Sequence, residues 1–460
     1  MKAVILTEAG GCFGYGHLSR CTAIKQALNR FGVDVKMYVR GSLKDSDKYT
    51  KLEWLDSFDL SLFDGCEIAI VDSYHASLDF YKCISESIHL GVWLDDTDRL
   101  KYPAGMVIKT DDGALLRESF AAMIRDNDSK ERIFVSLGGT KNEENLLSLI
   151  DNIRAKYPNT PLTIASPIDK SKLAPDDIFM HNADEHTNAK AMSECAMAVC
   201  AGGQTLLELA SLGVPSVAVI IAKNQEENVK KAYKNNNIVG YVDIESQNWA
   251  EEAAKMLQKK HINKIEIKSE KIAFNIIKTA KLSQFRDNLE IDGLKLKSFV
   301  NLDKEEALEV FGWRNHHDIR KWMLNSNSIA EEEHFAFLNS RKSDEKSFYW
   351  LVYSDNIAIG VISIARIDWQ NRVGYCGWYA KPVNAPFGCG LIFDRLGIKL
   401  GFELLGLRKI IMDISADNKA SIASAIHSGF VEEGRIKNYF WKTKDGQDII
   451  FYTLEREQQK

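Results

Sequence analysis

A histidine stands in a glycine turn near the start of the chain, in Gly14-Tyr15-Gly16-His17-Leu18-Ser19-Arg20. Glycines let a backbone come close to a phosphate, and a helix opening there offers free N–H groups and positive potential to an anion. Imidazole titrates near neutrality, so His17 has the chemistry of a general base. The other use of such a position is a helix cap, and the spacing does not meet the GxGxxG of a dinucleotide loop. Asp72-Ser73-Tyr74 and Leu94-Asp95-Asp96 each end an apolar run, the place where a parallel sheet presents its ligand-binding side chains. Ser136-Leu137-Gly138-Gly139-Thr140 ends another. In Ala201-Gly202-Gly203-Gln204-Thr205-Leu206-Leu207-Glu208 the glycines and Thr205 suit a diphosphate, and Glu208, one helical turn on, suits a ribose diol. Asn224 and Gln225 follow the next apolar run. Late in the chain, Pro386-Phe387-Gly388-Cys389-Gly390-Leu391 has the form of a pyrophosphate turn at a helix start, followed by Asn418-Lys419-Ala420-Ser421 and Ser428-Gly429-Phe430.

Three stretches must position these groups. Predicted strands at 3–8, 33–39, 67–73 and 91–95, with a helix from about 17 to 30 ending at Gly32, alternate as β and α over residues 1–130. That pattern predicts an open, mostly parallel sheet with helices on both faces. Residues 131–287 repeat the texture, with strands at 132–137, 161–165, 196–200 and 215–221. A closing helix at 269–285 carries Ile272, Ile276 and Ile277 on one side. Two such Rossmann-type halves enclose a cleft. Residues 291–460 differ: they hold six of the nine tryptophans, antiparallel-looking strands at 347–354, 357–368 and 372–380, a helix at 390–405, a strand at 409–415 and a helix at 418–427. This is an α+β texture.

The 460 residues correspond to about three domains at roughly 150 residues each. With 45% apolar and 27% charged residues the chain is globular in composition, and a net charge of -5 argues against a general nucleic-acid binder. Eight cysteines are scattered without a CxxC, which points to reduced thiols in a cytosol and away from a zinc ribbon or redox motif. No metal-ligand cluster is evident. The longest clean apolar run, Val217 to Ala222, is too short to span a bilayer, and the opening Ala-Val-Ile-Leu reads as a first strand.

Together the GYGHLSR, VDSY, LDDTDR, SLGGT, CAGGQTLLE and KNQ segments resemble the GT-B group of nucleotide-sugar enzymes, and within it the UDP-sugar hydrolases of pseudaminic acid biosynthesis. A more distant likeness is to the lipid-linked N-acetylglucosaminyltransferase of peptidoglycan synthesis. The resemblance covers about residues 1–285. It implies hydrolysis of UDP-2,4-diacetamido-2,4,6-trideoxy-β-L-altropyranose, with His17 activating water at the anomeric carbon. Tyr74 and Asn224 would border the sugar, Gly202, Gly203, Thr205 and Glu208 would hold the nucleotide, and Gly14, Gly16, Arg20, Asp72, Gly138, Gln204 and Gln225 would be further substrate contacts. A leaving UDP is stabilised by helix ends, so no cation is required.

The third stretch resembles the GNAT N-acetyltransferases, which hold acetyl-CoA between parted central strands. The resemblance makes Phe387, Gly388, Cys389, Gly390, Asn418 and Ser421 cofactor contacts. Trp313-Arg314-Asn315-His316 and Trp322 resemble the acceptor segment of the pathway's 4-amino-sugar acetyltransferase, which puts Arg314, His316 and Trp322 around the acceptor. One departure stands out. The tyrosine common seven residues after the pantetheine asparagine is Ala425 here, leaving Ser424, His427, Tyr439 or solvent as proton donor. The expectation is an enzyme of two consecutive reactions, acetylation at N4 and then release of UDP. A GT-B glycosyltransferase with an acetyltransferase appendage and a non-catalytic nucleotide-sugar sensor are the alternatives.

Overall fold

Strand β1 (Lys2–Glu8) is buried at every residue after Lys2, as an apolar run covered on both faces must be. It lies inside a parallel sheet with β2 (Asp34–Arg40), β3 (Thr50–Lys51), β4 (Ile68–Asp72), β5 (Leu90–Leu94) and β6 (Met106–Ile108), in the order β3-β2-β1-β4-β5-β6. The chain order reverses between β1 and β4, which opens a crevice at their carboxyl ends. Helix α1 (Gly16–Arg30) leaves β1, and α2 (Leu78–Ser87) leaves β4 with Ser77 as its cap. The computed structural model describes residues 1–11, 13–42, 49–56, 58–109, 114–125, 131–138, 143–180, 183–440 and 446–456.

A second parallel sheet follows: β7 (Ile133–Ser136), β8 (Leu162–Ile164), β9 (Ile178–Phe179), β10 (Met197–Ala201), β11 (Ser216–Ile220) and β12 (Gly240–Asp243), in the order β12-β11-β10-β7-β8-β9. Its glycine turn leads from β10 into α3 (Gln204–Leu212). Both sheets belong to one compact unit, residues 1–277; the other unit is 278–460. The division falls within α4 (Ser269–Arg286). Ile272 and Ile276 near its start are buried, while Leu282 and Phe285 at its end join the core of the C-terminal unit with Trp350 and Phe393.

The C-terminal unit is built on one sheet of β13 (Leu289–Ile291), β14 (Leu294–Ser298), β15 (Phe348–Ser354), β16 (Ile357–Asp368), β17 (Val373–Ala380), β18 (Lys409–Ser415), β19 (Val431–Phe440) and β20 (Gln447–Glu455). Their order is β13-β14-β15-β16-β17-β18-β20-β19, antiparallel except for the parallel pair β17 and β18. Helices α5 (Lys304–Asn315) and α6 (Glu331–Ser340) bring Ala307, Val310 and Leu338 onto Leu351 and Val361 of one face. Helices α7 (Cys389–Ile398) and α8 (Lys419–His427) bring Phe393, Leu396 and Ala425 onto Ile362, Ile364, Ile410 and Met412 of the other. The helix expected over 390–405 ends earlier as an α-helix and continues as a wider π-helical stretch, Lys399–Leu404. No helix among the described residues is long and apolar enough to cross a membrane.

Phe285 is fully buried in the C-terminal core although it sits on the helix that also serves the N-terminal unit. Phe285→Ala should cost the C-terminal unit about 3–5 kcal/mol, seen as a lowered melting transition in differential scanning calorimetry of the full chain.

Candidate functional site

The loop between β1 and α1 is folded back on itself. Gly10 takes φ +78°, and a Cβ there would lie 1.8 Å from the Ser42 carbonyl oxygen, so only glycine fits. The loop delivers His17 into the first turn of α1, with Arg20 one turn further on the same face. Both side chains converge on Asp72 at the end of β4. The Nδ1 of His17 lies 2.7 Å from Asp72 Oδ1; Arg20 donates from Nε to Oδ2 at 2.6 Å and from Nη2 to Oδ1 at 2.5 Å. Arg20 Nη1 also reaches Asp96 beyond β5, at 2.6 Å. Burial alone would push the Asp72 carboxyl up, but the Arg20 guanidinium and His17 hold it well below the usual carboxylate range. An anionic Asp72 fixes the Nδ1–H tautomer of His17 and leaves Nε2 as the proton acceptor. The Tyr74 ring stands edge-on to the imidazole, with centroids 4.7 Å apart. His17 is 8% exposed, so the imidazole is nearly enclosed.

A second buried acid anchors the same loops. Glu8, at the end of β1, accepts from Ser73 Oγ at 2.9 Å and from Arg40 Nη1 at 3.2 Å, and its other oxygen lies 3.2 Å from His75 Nδ1. This clamp flanks Tyr74 on both sides in sequence. Glu8, His75 and Arg40 were not singled out by sequence; only the position of Glu8 at a strand end hints at a role.

In the second sheet, Gly203 caps α3, and Gln225 folds back with its Oε1 accepting from Ile221 N at 3.1 Å and its Nε2 3.7 Å from where a Gly203 Cβ would sit. The turn therefore brings Gly202, Gly203 and Gln225 together. Thr205 is partly buried and Asn224 exposed. Gln204 is engaged by the chain itself, donating from Nε2 to the Leu115 carbonyl at 2.7 Å. Glu208 is buried and accepts from Arg117 Nη2 at 2.9 Å; burial raises its pKa and Arg117 pulls it back. A ribose diol reaching that carboxylate would share it with Arg117, a residue the sequence did not flag. Helices α1 and α3 touch, and Gln26 of α1 donates to Glu185 at 2.9 Å. Gly138 ends its strand with φ +79°, while Gly139 and Thr140 lie outside the described residues.

In the C-terminal unit, β17 and β18 hydrogen-bond in register only over Val373↔Lys409, Gly374↔Ile410 and Tyr375↔Ile411. Beyond that they part, although β17 runs on against β16 to Ala380 and β18 against β20 to Ser415. The opening leads to the starts of α7 and α8. Gly388 caps α7 at φ +76°, and within the turn the Cys389 N–H donates to the Pro386 carbonyl at 3.2 Å; Phe387 is fully exposed, and the Cys389 thiol is pushed up by burial. Asn418 caps α8, its Oδ1 accepting from Ser421 N at 3.2 Å, which ties these two expected cofactor contacts to each other.

Arg314 donates to the Asn325 carbonyl at 2.7 Å and lies near Tyr379 of β17, whose phenol burial pushes up and Arg314 pulls back. His316 caps the short helix His317–Arg320, and Trp322 lies at the surface under Lys321, 5.5 Å from its ring. Ala425 is fully buried. Of the three possible donors, Ser424 is bound to Asp394, while His427 and Tyr439 are exposed. Asp394, Trp378 and the pair of Asp413 with Arg366, at 2.5 Å, are features of this opening that sequence spacing did not reveal. Among the described residues no group of three or more His, Cys, Asp or Glu side chains is placed to hold a metal ion.

The Acetyltransferase (GNAT) domain family matches residues 294–431. The acetyltransferase PseH of Campylobacter jejuni strain 81-176 is 36% identical over 131 residues, which is 28% of this chain and 79% of that protein. A Helicobacter pylori protein named pseudaminic acid cytidylyltransferase and UDP-2,4-diacetamido-2,4,6-trideoxy-β-L-altropyranose hydrolase is 27% identical over 249 residues, 49% of this chain and 45% of its own length. The crystal structure of C. jejuni PseH with acetyl coenzyme A is 26% identical, covers 35% of this chain and 99% of its own, and superposes with a TM-score of 0.28.

Asp72→Asn removes the charge between His17 and Arg20 and should cost about 3–5 kcal/mol as a broken buried pair. The folded carboxyl is held below its unfolded value of about 3.9, so its contribution is complete above that pH and is lost as pH falls toward the folded value. Thermal melts should therefore show the largest gap between wild type and variant near neutrality, narrowing as pH falls below about 4.

Proposed function

That the chain belongs to the GNAT acetyltransferase family is the premise from which we propose a protein of two consecutive reactions on one nucleotide sugar. The C-terminal domain, 291–460, transfers the acetyl group of acetyl-CoA to the 4-amino group of UDP-4-amino-4,6-dideoxy-N-acetyl-β-L-altrosamine. The N-terminal part then hydrolyses the resulting UDP-2,4-diacetamido-2,4,6-trideoxy-β-L-altropyranose. Residues 1–130 carry the chemistry and 131–287 hold the UDP, as in a GT-B pair.

The observation that carries the hydrolytic half is the Asp72 carboxylate holding His17 Nδ1 at 2.7 Å. With Nε2 as base, water loses its proton as it attacks the anomeric carbon, and the imidazolium so formed faces the Asp72 anion. UDP leaves with its charge met by the N–H groups at the start of α3. Tyr74 packs on the imidazole, and it and Asn224 border the sugar. Glu208 serves the ribose and Arg117 shares its charge. The PseH resemblance and the H. pylori relative, whose name includes this hydrolase, support both halves.

In the acetyltransferase half, pantetheine lies as an added strand in the opening between β17 and β18, with its pyrophosphate on the turn at Gly388 to Gly390 and Asn418 alongside. The neutral amine attacks the thioester carbonyl, the N–C bond forms and the C–S bond breaks, and the proton the nitrogen gives up passes through solvent to the CoA thiolate, since Ala425, where the usual tyrosine would stand, has no proton to give. Arg314 lines the acceptor side next to Tyr379, with His316 and Trp322 at its rim.

Incubation with the UDP-4-amino sugar should give free UDP and a diacetamido sugar only when acetyl-CoA is present, followed by mass spectrometry. His17→Ala should lower UDP release by about 10²–10⁴-fold while the acetylated UDP-sugar accumulates. UDP release that persists at the wild-type rate in His17→Ala would overturn the assignment.

A further inference from the structure

Two strands that run side by side and then part leave backbone groups facing each other without ladder partners. In β17 these belong to Cys376–Ala380 and in β18 to Met412–Ser415. Closing the gap would recover backbone hydrogen bonds, so an open form needs its walls held from outside. Each wall continues into a helix, β17 into α7 and β18 into α8.

One side chain joins these elements. Asp394 of α7 is 1% exposed, and both of its oxygens are used. Its Oδ1 accepts from Trp378 Nε1 at 2.7 Å, on the part of β17 that has left β18. Its Oδ2 accepts from Ser424 Oγ on α8 and, at 3.3 Å, from Ser428 Oγ, the cap that ends α8. The Trp378 indole is stacked on Phe393, with planes 10° apart and centroids 5.4 Å apart, so it cannot swing away freely. The junction lies directly beneath the glycine turn: a Cβ on Gly390 would be 3.0 Å from Ser424 Oγ and 3.3 Å from the Trp378 ring. A buried carboxyl is costly unless it is well hydrogen-bonded, and here donors from both sides of the opening reach both of its oxygens.

We propose that Asp394 is a positioning residue that sets the width of the opening between β17 and β18, and thereby the affinity for acetyl-CoA, by binding Trp378 on one side and Ser424 and Ser428 on the other. It does not touch the reacting atoms. The inference rests on the acetyltransferase reading. It assigns the acid to the grip on the long amide-bearing arm of the cofactor, separate from recognition of the amino sugar.

The test uses the full chain, with acetyl-CoA binding followed by isothermal titration calorimetry and both KM values followed by steady-state kinetics. Asp394→Leu should weaken acetyl-CoA binding about tenfold or more, as expected for loss of hydrogen bonds to a charged group, and leave the KM for the amino sugar within about twofold. Asp394→Asn should recover most of the affinity, because an amide oxygen still accepts from Trp378 and an amide nitrogen can donate to the serine oxygens. If Asp394→Leu does not fold, the Ser424→Ala/Ser428→Ala double variant removes the α8 side alone and should weaken acetyl-CoA selectively. A folded variant with unchanged acetyl-CoA affinity, an equal rise in both KM values, or an Asn variant as weak as the Leu variant would overturn the proposal. Wild-type protein that fails to bind acetyl-CoA would overturn the acetyltransferase reading itself, and this inference with it.

Discussion

A carboxylate with no exposed surface, Asp72, sits where the first sheet opens, and the N-terminal unit is arranged around the need to keep it charged. A lone anion there would be too costly to hold. Arg20 supplies the charge and most of the hydrogen bonds, and His17 supplies one more. Both lie on one face of α1 because they are three residues apart, and α1 begins where it does because a glycine loop brings the chain back over the strand ends. The same contact that stabilises the acid aligns the imidazole and decides which nitrogen is basic. Stability and chemistry are thus parts of one interaction, and a change at Asp72 touches both.

The C-terminal unit solves a related problem with backbone in place of charge. A sheet of eight strands is interrupted at its one parallel pair, and the cost of unpaired peptide groups is accepted so that an extended ligand can pair there. The helices that follow the two strands place their capped starts, at Gly388 and Asn418, at the mouth of the gap. In both units a ligand-facing end is formed by strand ends and helix starts. On the proposed order of reactions, linking two such sites in one chain would raise the local concentration of the first product at the second.

Much of this was legible in the residues. Every strand predicted from an apolar run is present within about two residues, because runs such as Lys2–Glu8 and Ser216–Ile220 are buried on both faces and leave little choice of structure. The helix starts at His17 and Gln204 followed from glycines placed just before them. Strands β13, β14, β19 and β20 and helices α5 and α6 were not anticipated. β19 is exposed along its described side chains and β13 is only three residues, so neither carries a strong period; β14, Leu-Lys-Leu-Lys-Ser, does alternate as a half-buried strand should, but over only five residues. The pairings of Asp72, Glu8, Glu208 and Asp394 were invisible for a different reason: each joins residues far apart in the chain, and spacing along a sequence does not record which strand ends meet. Glu208 illustrates the limit, since its position suggested a ribose contact but not its Arg117 partner.

In the proposed hydrolysis a base held by a buried acid directs water to the sugar carbon rather than to a phosphorus. Hydrolysis of the diacetamido UDP-sugar in ¹⁸O-enriched water, with products analysed by mass spectrometry, tests it most directly. The label should enter the anomeric hydroxyl of the released sugar, and UDP should carry none. Label in a phosphate of the nucleotide product would contradict it.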